Sequence, residues 1–198
     1  MLLRRTLMLI APAALLSGCA SFHQVSAEVS SFGEWPAGRA PGTYVFERLP
    51  SQQQAAERAA EAEALAAPAL AQAGFRPAAA GAQPDVIVSI GARVSRTDHA
   101  PWDDPLWSRW HAPLRAYRLG LYPARPWGTP FPPEPRYERE VAVLLRDRAT
   151  GQAIYEARAS NDGATMGGEP LIRALFAAAM SDFPKTAPKA RWVTVPLP

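Results

Sequence analysis

The residue best placed to do chemistry is Cys19, the only cysteine in the chain, which closes the run Leu16-Ser17-Gly18-Cys19 behind a short apolar stretch. A thiol there is the nucleophile that becomes a thioether to diacylglycerol. Small residues at Ser17 and Gly18 admit the peptidase, and cleavage leaves Cys19 as an acylated N-terminus. The segment before it fits a lipoprotein signal: Arg4 and Arg5 supply the charged n-region, and Leu7 to Leu16 make an apolar h-region too short to span a bilayer. Two or three acyl chains, at ~0.8 kcal/mol per buried methylene, anchor stably where one is marginal. Residues 1–18 are therefore expected to be removed, 19–22 to form the lipidated tether, and 23–198 to fold as a single periplasmic domain. Ala20 and Ser21 follow the cysteine where an Asp would favour inner-membrane retention, so the expected location is the outer membrane, on its periplasmic side. The lipid bilayer is then the first partner.

Other constellations point to chemistry less well. His99, Asp103, Asp104 and His111 carry ligand types suited to zinc. Pro101 and Pro105 interrupt any helix that would align them, and Asp103-Asp104-Pro105 is ordinary turn chemistry, so no metal is expected. Ser95, Ser108 and Ser160 lack the strained turn and partnering base of a hydrolase nucleophile, and the remaining histidine, His23, lies next to the anchor. Asp147 and Asp162 read as turn carboxylates. Glu138 and Glu140 share one solvated strand face, where salt bridging is the ordinary role. Gly167-Gly168 has no Lys-Ser/Thr sequel and makes no phosphate loop. No catalytic residue and no cofactor is expected.

The remaining candidate is an insertion over 97–136, with four of the six Trp and nine of the 21 Pro. Loops of this length are functional or mobile. Trp102, Trp107, Trp110 and Trp127 interleave there with Arg109 and further arginines, a mixture suited to stacking on anionic or sugar-bearing partners, so an envelope protein or glycan is the expected ligand. The reading weighed ahead of binding folds these aromatics back over the wet face of a sheet, since large exposed apolar patches are uncommon on monomers.

Composition sets the frame. Of 21 basic side chains, losing Arg4 and Arg5 leaves 19 against 18 acidic ones, too even a balance to argue for nucleic acid. An apolar share of 48% over this length permits one domain with a proper core. With its sole cysteine acylated, the domain has no disulfide and must hold by packing. The sequence carries no signal for oligomeric state.

Period-two patterning predicts strands. Val25, Ala27, Val29 and Ser31 alternate with polar neighbours, and Thr43 to Arg48 is rich in β-formers. Asp85 to Arg96 places Val86, Val88, Ile90, Ala92 and Val94 on one face. Tyr137 to Arg146 turns Val141, Val143 and Leu145 inward. Past a turn at Asp147, Thr150 and Gly151, Ala153 to Ser160 turns Tyr155, Ala157 and Ala159 inward. Arg191 to Val195 suits an edge strand that Pro196 and Pro198 terminate. Helical spacing predicts two helices. One runs from Gln52 to Ala73, capped by Ser51 with Gln54, stopped by Gly74 and kinked or broken at Pro68. The other starts near Pro170, carries Ile172, Leu175, Phe176, Ala179, Met180 and Phe183, and stops before Pro184. The expected fold is α+β: a mixed, mainly antiparallel sheet with two helices on one face, a right-handed β-α-β crossover over 43–96, and a meander.

Thr43-Tyr44-Val45-Phe46 with Pro50, Leu70-Ala71-Gln72-Ala73-Gly74-Phe75, Pro84-Asp85-Val86-Ile87-Val88, Asp147 with Gly151, and Phe183-Pro184 occur in an order and spacing that resemble a bacterial lipoprotein family, domain of unknown function 4136. The resemblance covers most of the chain after Cys19 and implies the same location and fold. It implies no activity. The chain departs from the family at Tyr155 and Glu156, where Trp and Gly are common, and in the Trp/Pro-rich insertion. The function expected is a non-enzymatic binding or assembly factor of the envelope; the alternative is a periplasmic hydrolase using carboxylates near 97–136.

Overall fold

The computed structural model describes residues 23–99 and 134–198. Seven strands form one mixed sheet: β1 (Gln24–Phe32), β2 (Thr43–Phe46), β3 (Arg76–Pro77), β4 (Val86–His99), β5 (Glu134–Asp147), β6 (Ala153–Gly163) and β7 (Arg191–Pro196). Three helices accompany them: α1 (Pro50–Gln54), α2 (Ala56–Gln72) and α3 (Glu169–Ala179). The strand order is β3-β2-β4-β5-β6-β1-β7. The chain divides into a larger compact unit, Met1–Ala92 with Glu140–Asn161 and Gly167–Pro198, and a smaller one, Arg93–Arg139 with Asp162–Met166.

The order follows from the connections. β2 and β4 are parallel, Tyr44 opposite Val86 and Phe46 opposite Val88, so the chain between them must cross over, and α1 and α2 make that crossover. Strands β4, β5 and β6 then run as neighbours, the expected meander. The first strand enters beside the sixth, antiparallel with Val29 opposite Ala159, and β7 adds outside β1 with Val29 opposite Arg191. Both edges are poor templates for further pairing. β3 has two residues, one of them Pro77, and β7 ends on Pro196. The ladder nevertheless continues one step past Pro196, where the Leu197 amide donates to the His23 carbonyl at 2.7 Å. The proline removes only its own donor.

Alternation places one face of the sheet inside. Val25, Ala27, Val29 and Ser31 are buried while their neighbours are not, and Val141, Val143, Leu145, Tyr155, Ala157 and Ala159 are at most 1% exposed. Against this face lie Ala66, Ala69 and Leu70 of α2 with Leu175, Phe176 and Ala179 of α3, in one continuous cluster. On β4 the expected inward row is only half right. Val86, Val88 and Ile90 join the cluster, whereas Ala92 and Val94 are exposed, because the core cluster reaches only as far as Ile90.

The helices differ from the sequence reading in their punctuation. The first starts earlier, at Pro50 with Leu49 as its cap residue. Gln52 rather than Gln54 reaches back, its Oε1 accepting from the Leu49 amide at 2.9 Å. Proline at the first helical position has its φ preset and lacks an amide that would be orphaned there anyway, so the expected Ser51 cap is not needed. The predicted single helix is instead two, separated at Ala55 (φ −111°, ψ 50°). No break occurs at Pro68: α2 runs through it. Pro68 and Ala64 both lie on the exposed side, so the carbonyl that loses its partner is open to water while the opposite side keeps its packing. A complete Schellman closure ends α2. The Gly74 amide donates to Ala71 O and the Phe75 amide to Leu70 O, both at 3.0 Å, with Gly74 at φ +94°. Phe75 is thereby driven into the core. The last helix ends at Ala179 rather than reaching toward Pro184, so Phe183 packs from the turn that follows it.

Candidate functional site

A dense polar constellation among the described residues of the larger unit lies at one end of the sheet, assembled from four separate segments. Asp85 immediately precedes β4, Asp147 closes β5, Thr43 opens β2, and Arg39 comes from the connection between β1 and β2. Arg39 Nη1 donates to Asp147 Oδ2 at 2.6 Å and Nη2 to the Asp85 carbonyl at 3.0 Å. Asp85 Oδ2 accepts from the Thr43 amide at 2.7 Å and from its hydroxyl at 2.8 Å. On its other oxygen, Asp147 accepts from the amide and the hydroxyl of Thr150, at 2.8 and 3.0 Å. Each carboxylate thus caps backbone amides where a strand begins or turns, and Arg39 joins the two points.

The electrostatics follow from those bonds. Hydrogen bonds from Thr43, amide first and hydroxyl second, hold the Asp85 carboxyl below the usual carboxylate range. The Thr150 amide, then Arg39 and the Thr150 hydroxyl, hold Asp147 down to about 2. Both are anionic at neutral pH, and both oxygens of Asp147 and Oδ2 of Asp85 are engaged. Neither carboxyl carries a proton to donate as a general acid at neutral pH.

An expected result follows for acid stability. The Asp147 carboxyl binds its proton more weakly in the folded chain than in the unfolded one, so its contribution is full above about pH 4 and fades as pH falls through about 2. Asp147→Asn should lower stability at neutral pH and flatten the loss between those pH values, read from denaturant midpoints across the range. An unchanged acid limb would show that the Thr150 and Arg39 contacts are not maintained in solution.

Arg39 also reaches inward. Its guanidinium lies 5.2 Å from the Trp35 ring centre, and the Trp35 indole N–H donates to the Arg39 carbonyl at 2.9 Å. Trp35 sets its edge against Phe75 and Phe183, at 5.7 and 4.8 Å between centroids, and Phe183 meets Tyr155 at 5.1 Å. The polar end of the sheet is thereby fastened to the aromatic core. A second fastening joins the exit of β2 to α2, where Arg48 grips Glu63 through two bonds of 2.7 and 2.8 Å.

Within the smaller unit, Arg139 occupies the inward register of β5, two residues before Val141, and is 6% exposed. Its Nη1 donates to the carbonyls of Tyr137 and Thr165 at 2.9 and 3.1 Å. Gly163 leaves room for it, since a Cβ there would stand 3.0 Å from that nitrogen. Burial lowers the guanidinium's pKa while Asp162 pulls it up. Strict alternation from Val141 pointed to this arginine, but only the apolar positions of the strand were read as inward.

The sequence candidates fare differently. Cys19, Trp102, Trp107, Arg109, Trp110 and Trp127 lie outside the described residues, as do Asp103, Asp104 and His111. Among the described residues no three His, Cys, Asp or Glu side chains gather as metal ligands, and no helix is long and apolar enough to cross a membrane. Asp162 is paired with Arg136, whose Nε donates to it at 2.6 Å, and Glu138 is exposed. Arg39 was missed altogether. Its partner Asp147 is 108 residues away in sequence, and an arginine in a Pro/Gly-rich connection carries no local signal.

Comparison with known proteins gives one family. The description Domain of unknown function (DUF4136) matches residues 28–185, from within β1 to just past α3. No curated protein matches the chain. Among solved structures, a PelC dodecamer from Paraburkholderia phytofirmans is 15% identical with a TM-score of 0.42, over 78% of this chain and 96% of that one. A variant PelC dodecamer from the same organism gives 15% and 0.41, over 78% and 95%. A PDZ domain protein from Parabacteroides distasonis is 12% identical with a TM-score of 0.49, over 87% of this chain but 38% of that one, so the chain spans well under half its length. Thr43, Phe75, Asp85, Asp147 and Phe183, which sit in the segments that carried the family resemblance, all belong to the fastened end of the sheet or the aromatic group behind it, and the matched stretch covers most of the chain: the protein belongs to the DUF4136 family.

Proposed function

We propose that the protein is a lipid-anchored lipoprotein of the outer membrane, facing the periplasm, and acts there as a non-enzymatic binding or assembly factor whose partner surface is the Trp/Pro-rich insertion. The observation that carries the reading is the position of Cys19. It ends a lipobox, and β1 begins at Gln24, with only four residues between, so the folded part follows the acylated residue closely. The non-enzymatic part draws support from Asp147, whose two carboxylate oxygens are engaged with Thr150 and Arg39, and from Asp85, whose Oδ2 is engaged with Thr43.

Intact mass of the membrane-extracted protein tests the anchor. The mature chain is expected to begin at Cys19 with added acyl mass, and Cys19→Ala to accumulate as unprocessed precursor. A mature wild-type chain starting at Cys19 without acyl mass would overturn the lipoprotein reading.

The insertion is tested by stability and by capture. Trp102→Ala and Trp107→Ala are each expected to change unfolding free energy by less than about 1 kcal/mol. In-cell photo-crosslinking from the same positions should yield an envelope partner. Losses of about 3–5 kcal/mol at both would place these rings in a core and make the insertion a structural cover.

A further inference from the structure

Trp192 is 65% exposed, more than any other large apolar side chain among the described residues. A lone exposed aromatic is common and means little by itself. Its setting on the sheet gives it weight. Val193 and Val195 of β7 pack against the core, so alternation turns Trp192, Thr194 and Pro196 to the other face. Their partners on β1 are Glu28, Ser26 and Gln24, and the Ser26 and Thr194 hydroxyls bond to each other at 2.8 Å. These six side chains, at one corner of the outer face, present one indole, hydroxyls, an amide and a proline, and Glu28 is the one ionised group among them. Little charge would be dehydrated if they were laid against another surface.

The anchor says which surface. The chain from Cys19 enters the sheet at Gln24, opposite Pro196, and Trp192 lies across from Glu28, four residues further along the same ladder. The four residues 20–23 reach ~14 Å at full extension, and the four steps from Gln24 to Glu28 span roughly 13 Å. With Cys19 in the bilayer, the Gln24–Pro196 end of this corner is held within a tether's length of the lipid, and Trp192 lies ~13 Å further along the ladder. Strands lying flat or oblique bring the indole into the headgroup layer, the depth at which Trp is favoured. Charge agrees. Between Asp182 and Trp192 the chain has three cations, and Arg191 is spent on Asp182, its Nε donating at 3.0 Å. Lys185 and Lys189 are both exposed and suit anionic headgroups.

We infer that the β1/β7 corner of the sheet is a membrane-contact surface, with Trp192 seated among phospholipid headgroups and Lys185 and Lys189 facing their phosphates. The inference rests on the lipid anchor at Cys19. It gives the domain an orientation that the anchor alone does not.

The test uses full-length lipidated protein in vesicles of phosphatidylethanolamine and phosphatidylglycerol, with and without brominated acyl chains as quenchers of tryptophan emission. Wild type is expected to show a component quenched by the brominated lipid that Trp192→Phe lacks, while both float with the vesicles and give the same circular dichroism. Lys185→Glu with Lys189→Glu should weaken that quenching in phosphatidylglycerol vesicles and leave flotation intact. Equal quenching of wild type and Trp192→Phe, with both floating, would overturn the contact and leave the anchor standing. A chain that lacks acyl mass and fails to float would overturn both. Crosslinked dimers through β7, with no quenching lost in Trp192→Phe, would overturn it in favour of a second copy on this corner.

Discussion

Phe176→Ala is expected to cost about 3–5 kcal/mol of unfolding free energy, the range for emptying a core aromatic site. The ring is fully buried on α3, whose neighbours Leu175, Ala178 and Ala179 are equally inaccessible. Backbone on that side is fixed by the helix and on the other by the sheet, so the cavity has little room to collapse. The informative control is Tyr155→Phe on the facing strand. Tyr155 is also inaccessible, and its hydroxyl lies by the Ser31 side chain without a hydrogen bond of full geometry. Burial pushes the phenol up to about 12, with Ser31 pulling the other way. Removing an unsatisfied buried hydroxyl relieves a desolvation cost, so Tyr155→Phe should be neutral within about 1 kcal/mol or stabilising. Denaturant unfolding at constant slope measures both. A large loss at Tyr155→Phe would show that the hydroxyl finds a partner in solution.

Gly33→Ala should be the most damaging single-methyl addition in the larger unit, by more than about 2 kcal/mol. Gly33 follows β1 at φ +97°, where an L side chain is strained. A Cβ there would stand 2.8 Å from the Ile154 carbonyl oxygen and 3.2 Å from the Tyr155 Cα. Both are backbone atoms of β6, in the middle of the sheet, and neither can swing aside. Gly38→Ala separates strain from clash. Gly38 also has positive φ, +74°, but nothing lies within 4 Å of its would-be Cβ, so only the conformational cost of about 1–2 kcal/mol applies. Equal losses at the two positions would mean that β6 yields to the methyl.

The comparison between sequence and structure divides along the range of the interactions involved. Alternation in Val25-Ala27-Val29, Val141-Val143-Leu145 and Tyr155-Ala157-Ala159 is a local property, and it located the strands and their buried face. The helical stripe through Leu175 and Phe176 did the same. What remained illegible depends on contacts between distant segments. How far the core extends along β4 decided that Ala92 and Val94 stay exposed. Solvent on the outer side of α2 decided that Pro68 is tolerated. Arg39 acquires its role only when Asp85 and Asp147 are brought beside it by the sheet. The two-residue β3 is too short for any period to register. Of the candidate sites, the structure supplies a fastened sheet end that was not anticipated, while Cys19 and the tryptophans of the insertion lie outside the described residues.

The position of β1 has a mechanical consequence. This strand receives the chain from the N-terminal side and is paired with β7 over Gln24–Val29 on one flank and with β6 over Glu28–Phe32 on the other. A pull applied at residue 23 and directed along the strand therefore loads two antiparallel ladders in shear, with many hydrogen bonds resisting together instead of opening one after another. Had β1 been at an edge, a single ladder would bear the same load. Were the chain anchored at Cys19 as proposed, a load from the anchor would enter the sheet through a strand held on both flanks.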